Sequence, residues 1–129
     1  MAVMNPEAIS TELLARFRGR VTTSCPTYPE SIHLEVTDAH GSIWGLGLWY
    51  ADFFPTDTAA ILGKTVVSAD VDEQTETLIV GFSDGSDFRI VPDPCDYADE
   101  WWELFTPEDM VLGYCPGGRW RLAKATDPR

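Results

Sequence analysis

The chain has 129 residues, of which 44% are hydrophobic, and a formal net charge of −12 at pH 7. This length and apolar content predict a single domain over residues 1–129 with a real hydrophobic core. The acidic excess repels phosphate groups and therefore disfavours binding to nucleic acid or to an anionic membrane. The same charge would attract a basic partner, although it also serves simply to keep a protein soluble.

Targeting and redox features point to a reduced, cytoplasmic protein. The N-terminal residues lack the basic and apolar regions of a signal peptide, and no apolar run approaches the roughly 20 residues of a membrane helix. Cys25, Cys95 and Cys115 are odd in number and widely spaced, and His33 and His40 form no zinc pattern with them. We therefore expect no metal and no cofactor.

Two parts of the chain correspond at a spacing of 44 residues. The aligned pairs include Gly19 and Gly63, Ser24 and Ser68, Leu34 and Leu78, Val36 and Val80, Gly41 and Gly85, Ser42 and Ser86, and Trp44 and Phe88. The correspondence predicts an internal repeat, with repeat 1 at about 11–54 and repeat 2 at about 55–98. A C-terminal hairpin element at 99–123 follows.

A short helix is predicted at residues 5–18, before the first strand. Asn5 can cap it, and Pro6 suits a first helical position because its missing amide proton has no helical partner there. Ile9, Leu13 and Phe17 recur every four residues and form an apolar stripe that could lie on a sheet. Residues 56–62 suggest a second, shorter helical turn in the other repeat.

Alternating apolar residues predict one three-stranded antiparallel meander in each repeat. The expected strands are 21–25, 32–37 and 43–50, then 65–71, 77–83 and 87–91. Residues 101–105 are interpreted as a strand, with a helical turn as the alternative, and 111–115 with 119–123 form a last hairpin.

The predicted fold class is therefore mainly β. Two tandem meanders and the C-terminal hairpin would form a folded sheet or half-open barrel of eight or nine strands, with a short N-terminal helix. The expected core residues are Leu34, Val36, Trp44, Leu46, Val67, Leu78, Val80, Phe82, Phe88 and Ile90.

Residues 92–118 contain no Lys or Arg, and aromatic residues are interleaved with their acids. Aromatic anchors surrounded by one sign of charge suit a surface that binds a basic protein. The predicted partner-binding residues are Asp96, Tyr97, Asp99, Glu100, Trp101, Trp102 and Glu103. In the alternative interpretation, one of the adjacent tryptophans fills the core and the acids face water.

Other chemistry-bearing residues have simpler explanations. Carboxylates cluster near two turns, at Asp70, Asp72, Glu73 and Glu76 and at Asp84 and Asp87. Their spacing lacks the EF-hand pattern, and turn formation accounts for them. A nucleophilic Cys25 or Cys115 would need His33 or His40 as its base. The phosphate-binding, metalloprotease and serine-hydrolase motifs are absent from the sequence.

The second repeat and the tail resemble a group of small bacterial β-proteins of unknown function. Their outline is G-x-x-V-x-S, L-x-V-x-F-x-D-G-S-x-F-x-V, W-E-L and P-G-G. The matching residues are Gly63, Val66, Ser68, Leu78, Val80, Phe82, Asp84, Gly85, Ser86, Phe88, Trp102, Glu103, Leu104, Pro116, Gly117 and Gly118, and Ile90 replaces the final Val. The resemblance implies a β fold, and it gives no catalytic residues to carry over to this chain. Some proteins of this kind resemble immunity proteins, which neutralise a partner toxin.

Three functions follow as hypotheses. The first is a non-catalytic, immunity- or inhibitor-like module that engages a basic protein through the acidic aromatic segment. The second is a small-ligand or metal-dependent enzyme that uses carboxylates between the two repeats. The third is a self-associating structural protein, a homo-oligomer in which Gly45 and Gly47, beside Trp44, would pair between molecules.

Overall fold

The computed structural model describes residues 6–28, 31–48, 51–55, 57–92, 101–115 and 117–124. These residues form one α-helix, a short 3₁₀ helix at Thr58–Ile61 and ten antiparallel strands in one unclosed sheet. The elements are α1 (Pro6–Arg16), β1 (Gly19–Tyr28), β2 (Ser31–Thr37), β3 (Ile43–Leu48), β4 (Ala51–Phe54), β5 (Thr65–Asp72), β6 (Thr77–Phe82), β7 (Asp87–Pro92), β8 (Trp102–Phe105), β9 (Met110–Cys115) and β10 (Arg119–Lys124). The mainly β prediction is confirmed.

The sheet order places β1 and β5 side by side in the middle. From this pair, β2 and β3 follow on one side and β6 and β7 on the other. β8, β9 and β10 continue beyond β3, whereas β4 pairs with β7. The strand that follows β3 therefore lies at the far side of the sheet.

The connection from β3 to β4 requires the sheet to curl. Leu48 ends β3 and Ala51 begins β4. Three peptide links limit the distance between their Cα atoms to about 11 Å, yet five strands lie between β3 and β4 in the sheet order. The sheet must therefore fold over so that β4 returns close to β3, as the folded-sheet prediction expects.

The second hairpins of the two meanders have matching registers. Val36 lies opposite Trp44 in the β2–β3 pair, and Val80 lies opposite Phe88 in the β6–β7 pair, 44 positions later. The turn between β6 and β7 contains Gly85 with a φ of 86°, which is the conformation that an Asp-Gly turn favours.

The prediction that Val67 lies in the core is wrong. Its side chain is 39% exposed, whereas Val66 is 2% exposed and occupies the core. The pairing of β5 with β6 has a register shift between Val66 and Ser68, so the extra residue of this bulge leaves the regular alternation. The nine other predicted core residues are buried.

The helix α1 packs on the core side of the sheet. Leu13, Leu14 and Phe17 are buried, and Ile9 is half-buried at the edge of the core. The ring of Phe17 lies 6.0 Å from that of Trp44 on β3, measured between centroids. No helix in the described part of the chain is long and apolar enough to cross a membrane.

The turn before β3 is organised by Asp38. One carboxylate oxygen accepts the backbone N–H groups of His40 and Ser42, each at 2.9 Å, and the other accepts Nε1–H of Trp44 at 3.1 Å. The hydrogen bond from Trp44, followed by the backbone donors, lowers the pKa of Asp38 below its ordinary value of 3.8.

This lowered pKa predicts acid sensitivity that depends on Asp38. Between the lowered pKa of the folded state and the ordinary pKa of the unfolded chain, the unfolded chain binds more protons, so stability falls as the pH falls. We expect Asp38→Asn to be less stable than wild type near neutral pH but to lose less stability between about pH 6 and about pH 3. Urea unfolding at the two pH values measures this, and equal losses in both proteins would contradict it.

Candidate functional site

The predicted partner-binding segment does not form an exposed surface where it is described. Trp101, Trp102 and Glu103 are 5%, 1% and 2% exposed. The reason is the position of β8, which lies between β3 and β9 rather than at a sheet edge. The other predicted residues, Asp96, Tyr97, Asp99 and Glu100, lie outside the described residues.

Glycines on the neighbouring strands accommodate the face of β8 that carries Glu103. Glu103 lies opposite Gly47 on β3 and Gly113 on β9. Two residues before Gly47 on β3, a Cβ atom on Gly45 would lie 3.2 Å from Cε1 of His33 and 3.5 Å from Cβ of Phe105. The glycine face that was considered for self-association is therefore covered by side chains of the same chain.

The two tryptophans instead form the base of an aromatic cluster around Tyr114 on β9. The Tyr114 ring stacks on Trp102, with centroids 5.8 Å apart and planes at 2°, and on Trp101 at 5.9 Å and 28°. Trp120, opposite Tyr114 on β10, meets the Tyr114 ring edge-on at 4.8 Å. Such contacts add stabilisation beyond the buried area and fix the position of the Tyr114 ring.

Tyr114 links the C-terminal hairpin to the turn between β5 and β6. Its hydroxyl donates to Oε1 of Glu76 at 3.0 Å, and Glu76 has a φ of 57°, which is uncommon for a residue with a side chain. Burial, then this hydrogen bond and the negative charges of Glu76 and Glu73, raises the pKa of Tyr114 well above its usual value. The hydroxyl therefore remains a proton donor at neutral pH.

A cleft of about 680 Å³ lies beside this hydrogen bond. It is bounded by one face of α1, by residues 68–71 of β5, by the turn at 73–76 and by the C-terminal hairpin with Tyr114 and Trp120. The volume is within the range of about 300–1,000 Å³ that ligand pockets occupy. We refer to this feature as the acidic cleft.

The charge of the acidic cleft is set by four lining residues. Asp70, Glu73 and Glu76 contribute three carboxylates, against the single guanidinium of Arg18. Nε of Arg18 donates to the carbonyl of Ala15 at 2.8 Å, and Nη1 donates to the carbonyl of Val67. The cleft therefore combines a net negative charge with the aromatic wall of Trp120.

Two of the other candidate carboxylates, Asp72 and Asp84, act in turns, whereas Asp87 begins β7 and pairs with Arg89 at 3.1 Å. Oδ1 of Asp72 accepts the backbone N–H of Gln74 at 2.9 Å. Asp84 accepts the backbone N–H of Ser86 and pairs with Nζ of Lys64, each at 2.9 Å. Among the described residues, no group of three or more His, Cys, Asp or Glu side chains is placed to hold a metal ion.

The cysteine and histidine candidates are placed by the sheet register. The backbone of Cys25 on β1 lies opposite that of His33 on β2, and Cys115 ends β9. His40 lies in the turn before β3, where its backbone N–H donates to Asp38.

The sequence contained part of the signal for the acidic cleft. The predicted hairpin of β9 and β10 pairs Tyr114 with Trp120, and the acids at 70–76 are close together in the sequence. The contact between Tyr114 and Glu76 joins residues 38 positions apart and has no local signature.

No protein-family model, curated protein or solved structure matches this chain.

Proposed function

We propose that the protein is a non-catalytic binding module that holds a basic partner protein in the acidic cleft. The main observation in support is the hydrogen bond from Tyr114 to Glu76. It holds a carboxylate beside the aromatic wall that Tyr114 and Trp120 form in the cleft. An aromatic wall offers desolvated contact area and the face of a ring for a cationic side chain, and carboxylates orient that cation.

The charge of the whole chain supports the same proposal. A net charge of −12 raises the encounter rate with a basic protein and disfavours acidic competitors. Tyr114 acts as a hydrogen-bond donor that positions Glu76, not as a base. An immunity- or inhibitor-like role in the cytoplasm is one concrete form of the proposal, because such proteins act by occupying a partner.

Neutralising the acidic cleft is the first test. The bait Asp70→Asn/Glu73→Gln changes two exposed cleft acids, and Glu12→Gln/Asp109→Asn removes the same charge from exposed positions outside the cleft lining. A third bait, Asp96→Asn/Asp99→Asn/Glu100→Gln, tests the segment predicted from the sequence. Each bait is incubated with lysate of the source organism at low and at high salt, and captured proteins are identified by mass spectrometry.

We expect wild type and the Glu12/Asp109 control to capture the same basic protein at low salt, and the cleft variant to lose it. Removing two cleft charges from a partly desolvated contact is expected to weaken the affinity for the partner about tenfold or more. Retention by the cleft variant together with loss by the 96–100 variant would place the contact surface in that segment instead. If none of the baits, wild type included, captured a basic protein, the binding-module proposal would be contradicted.

The size and lining of the acidic cleft also favour a second candidate function, the binding or conversion of a small cationic ligand. The cleft is lined by Thr11, Leu14, Ala15 and Arg18 of repeat 1, by residues 68–76 of repeat 2 and by the C-terminal hairpin. Titration with arginine amide and with spermidine, measured by calorimetry, separates this candidate from the first. Tight binding of either compound, abolished by Asp70→Asn/Glu73→Gln, would favour the small-ligand function.

A further inference from the structure

The strand β5 is paired along its whole length on only one side. It pairs with β6 from Val66 to Asp72. On its other side, the register with β1 contains two pairs, Gly19 with Val66 and Arg20 with Thr65. Within the described residues, no strand continues this pairing along 67–72.

The helix α1 explains why this pairing stops. Continuing the antiparallel register would place residues 13–18 opposite residues 67–72, but residues up to Arg16 belong to α1. Helical backbone satisfies its own hydrogen bonds and cannot act as a sheet partner. The edge of β5 beyond Val66 therefore lies beside α1, and residues 68–71 of β5 line the acidic cleft together with one face of α1.

The side of β5 that faces away from β6 carries backbone hydrogen-bonding groups. In a strand, successive peptide groups point to opposite sides, so about half of those in 67–72 point away from β6. The carbonyl of Val67 accepts a hydrogen bond from the Arg18 guanidinium at the end of the edge nearest β1. Residues 68–71 beyond it border the cleft. An unpaired edge of this kind is a template for another strand.

We propose that the acidic cleft takes an extended segment of the basic partner as an added strand along residues 67–72 of β5. This inference rests on the proposed function and specifies how the partner is held. Six residues of strand are about 20 Å long, so the edge can pair with a segment of similar length. Backbone hydrogen bonds would supply affinity and side chains would supply specificity, as in other cases of strand addition.

The residues on the two faces of β5 predict which types of side chain the added strand would carry. Ala69 is buried and Val71 is half-buried, whereas Asp70 and Asp72 are exposed. Neighbouring residues on adjacent strands share a face. The partner segment would therefore alternate small apolar residues, next to Ala69 and Val71, with Arg or Lys residues, next to Asp70 and Asp72.

The test uses a defined peptide rather than the unidentified partner. The probe is an eight-residue peptide that alternates Arg or Lys with Val, and the matched control has the same sequence with every second backbone nitrogen methylated. Methylation removes the amide protons of one peptide edge and leaves the charges unchanged. Binding is measured by calorimetry, and amide hydrogen exchange of the protein is followed with and without each peptide.

We expect the unmodified peptide to bind at least about tenfold more tightly than the methylated one, and to slow amide exchange within 67–72 selectively. Equal binding of both peptides, sensitive to Asp70→Asn/Glu73→Gln, would overturn strand addition while leaving the acidic cleft as a site for cations. Failure of the unmodified peptide to bind, or binding unaffected by the cleft substitutions, would overturn the inference. The lysate capture experiment then decides the proposed function separately.

Discussion

Replacing Gly19 by alanine is expected to destabilise the protein by about 3 to 5 kcal/mol. Gly19 has a φ of 149°, a conformation that residues with a side chain rarely adopt. A Cβ atom there would lie 2.2 Å from the carbonyl oxygen of Thr37 and 2.8 Å from Cα of Asp38. Both neighbours are backbone atoms, so relief requires the start of β1 to move away from β2.

The matched control is Gly41→Ala in the turn before β3. Gly41 also has a positive φ, of 79°, but a Cβ atom there would meet nothing within 4 Å. We expect a loss of about 1 to 2 kcal/mol from backbone strain alone. Urea unfolding of the two variants measures the difference, and similar losses would show that the close approach at Gly19 is relieved without cost.

Replacing Tyr114 by alanine is expected to cost about 3 to 5 kcal/mol, as for other large buried aromatic residues. The ring is 2% exposed and contacts Trp101, Trp102 and Trp120, so its removal leaves a cavity among three tryptophans. The same substitution removes one of the two aromatic side chains, Tyr114 and Trp120, that line the acidic cleft. Binding of the basic partner should therefore fall together with stability.

Tyr114→Phe separates the hydroxyl from the ring. This variant keeps the ring contacts and loses the hydrogen bond to Glu76, for which we expect about 1 to 2 kcal/mol. It should remain folded but bind the partner less well, because the Glu76 carboxylate then loses the hydrogen bond that holds it beside the aromatic wall. If the phenylalanine variant were as unstable as the alanine variant, the ring contacts would not be the main contribution of Tyr114.

Local signals in the sequence account for most of the strands. Alternation located β2, β6 and β7, and Asp84-Gly85 located the turn between β6 and β7, because few residues other than glycine accept its conformation. The strand β4 was missed because its four residues are too few to establish an alternating pattern.

Long-range pairing was not accessible from the sequence. Alternation predicted that one of Trp101 and Trp102 would be buried, but both are. Trp101 precedes β8, and its backbone N–H donates to the carbonyl of Tyr114 at 2.9 Å. This placement depends on β8 inserting between β3 and β9. The open edge of β5 likewise depends on where α1 lies, and neither arrangement has a local sequence pattern.

The most direct test of the acidic cleft as the partner site is site-specific photo-cross-linking. A benzophenone amino acid replaces Gln74, an exposed residue of the cleft lining, or Leu62, which is 53% exposed and does not line the cleft. The proposal predicts a cross-link to the basic partner from position 74 and none from position 62. It also predicts a lower yield of the cross-link at high salt, because dissolved ions shorten the range of electrostatic attraction. Cross-linking from position 62 alone, or equally from both positions, would contradict it.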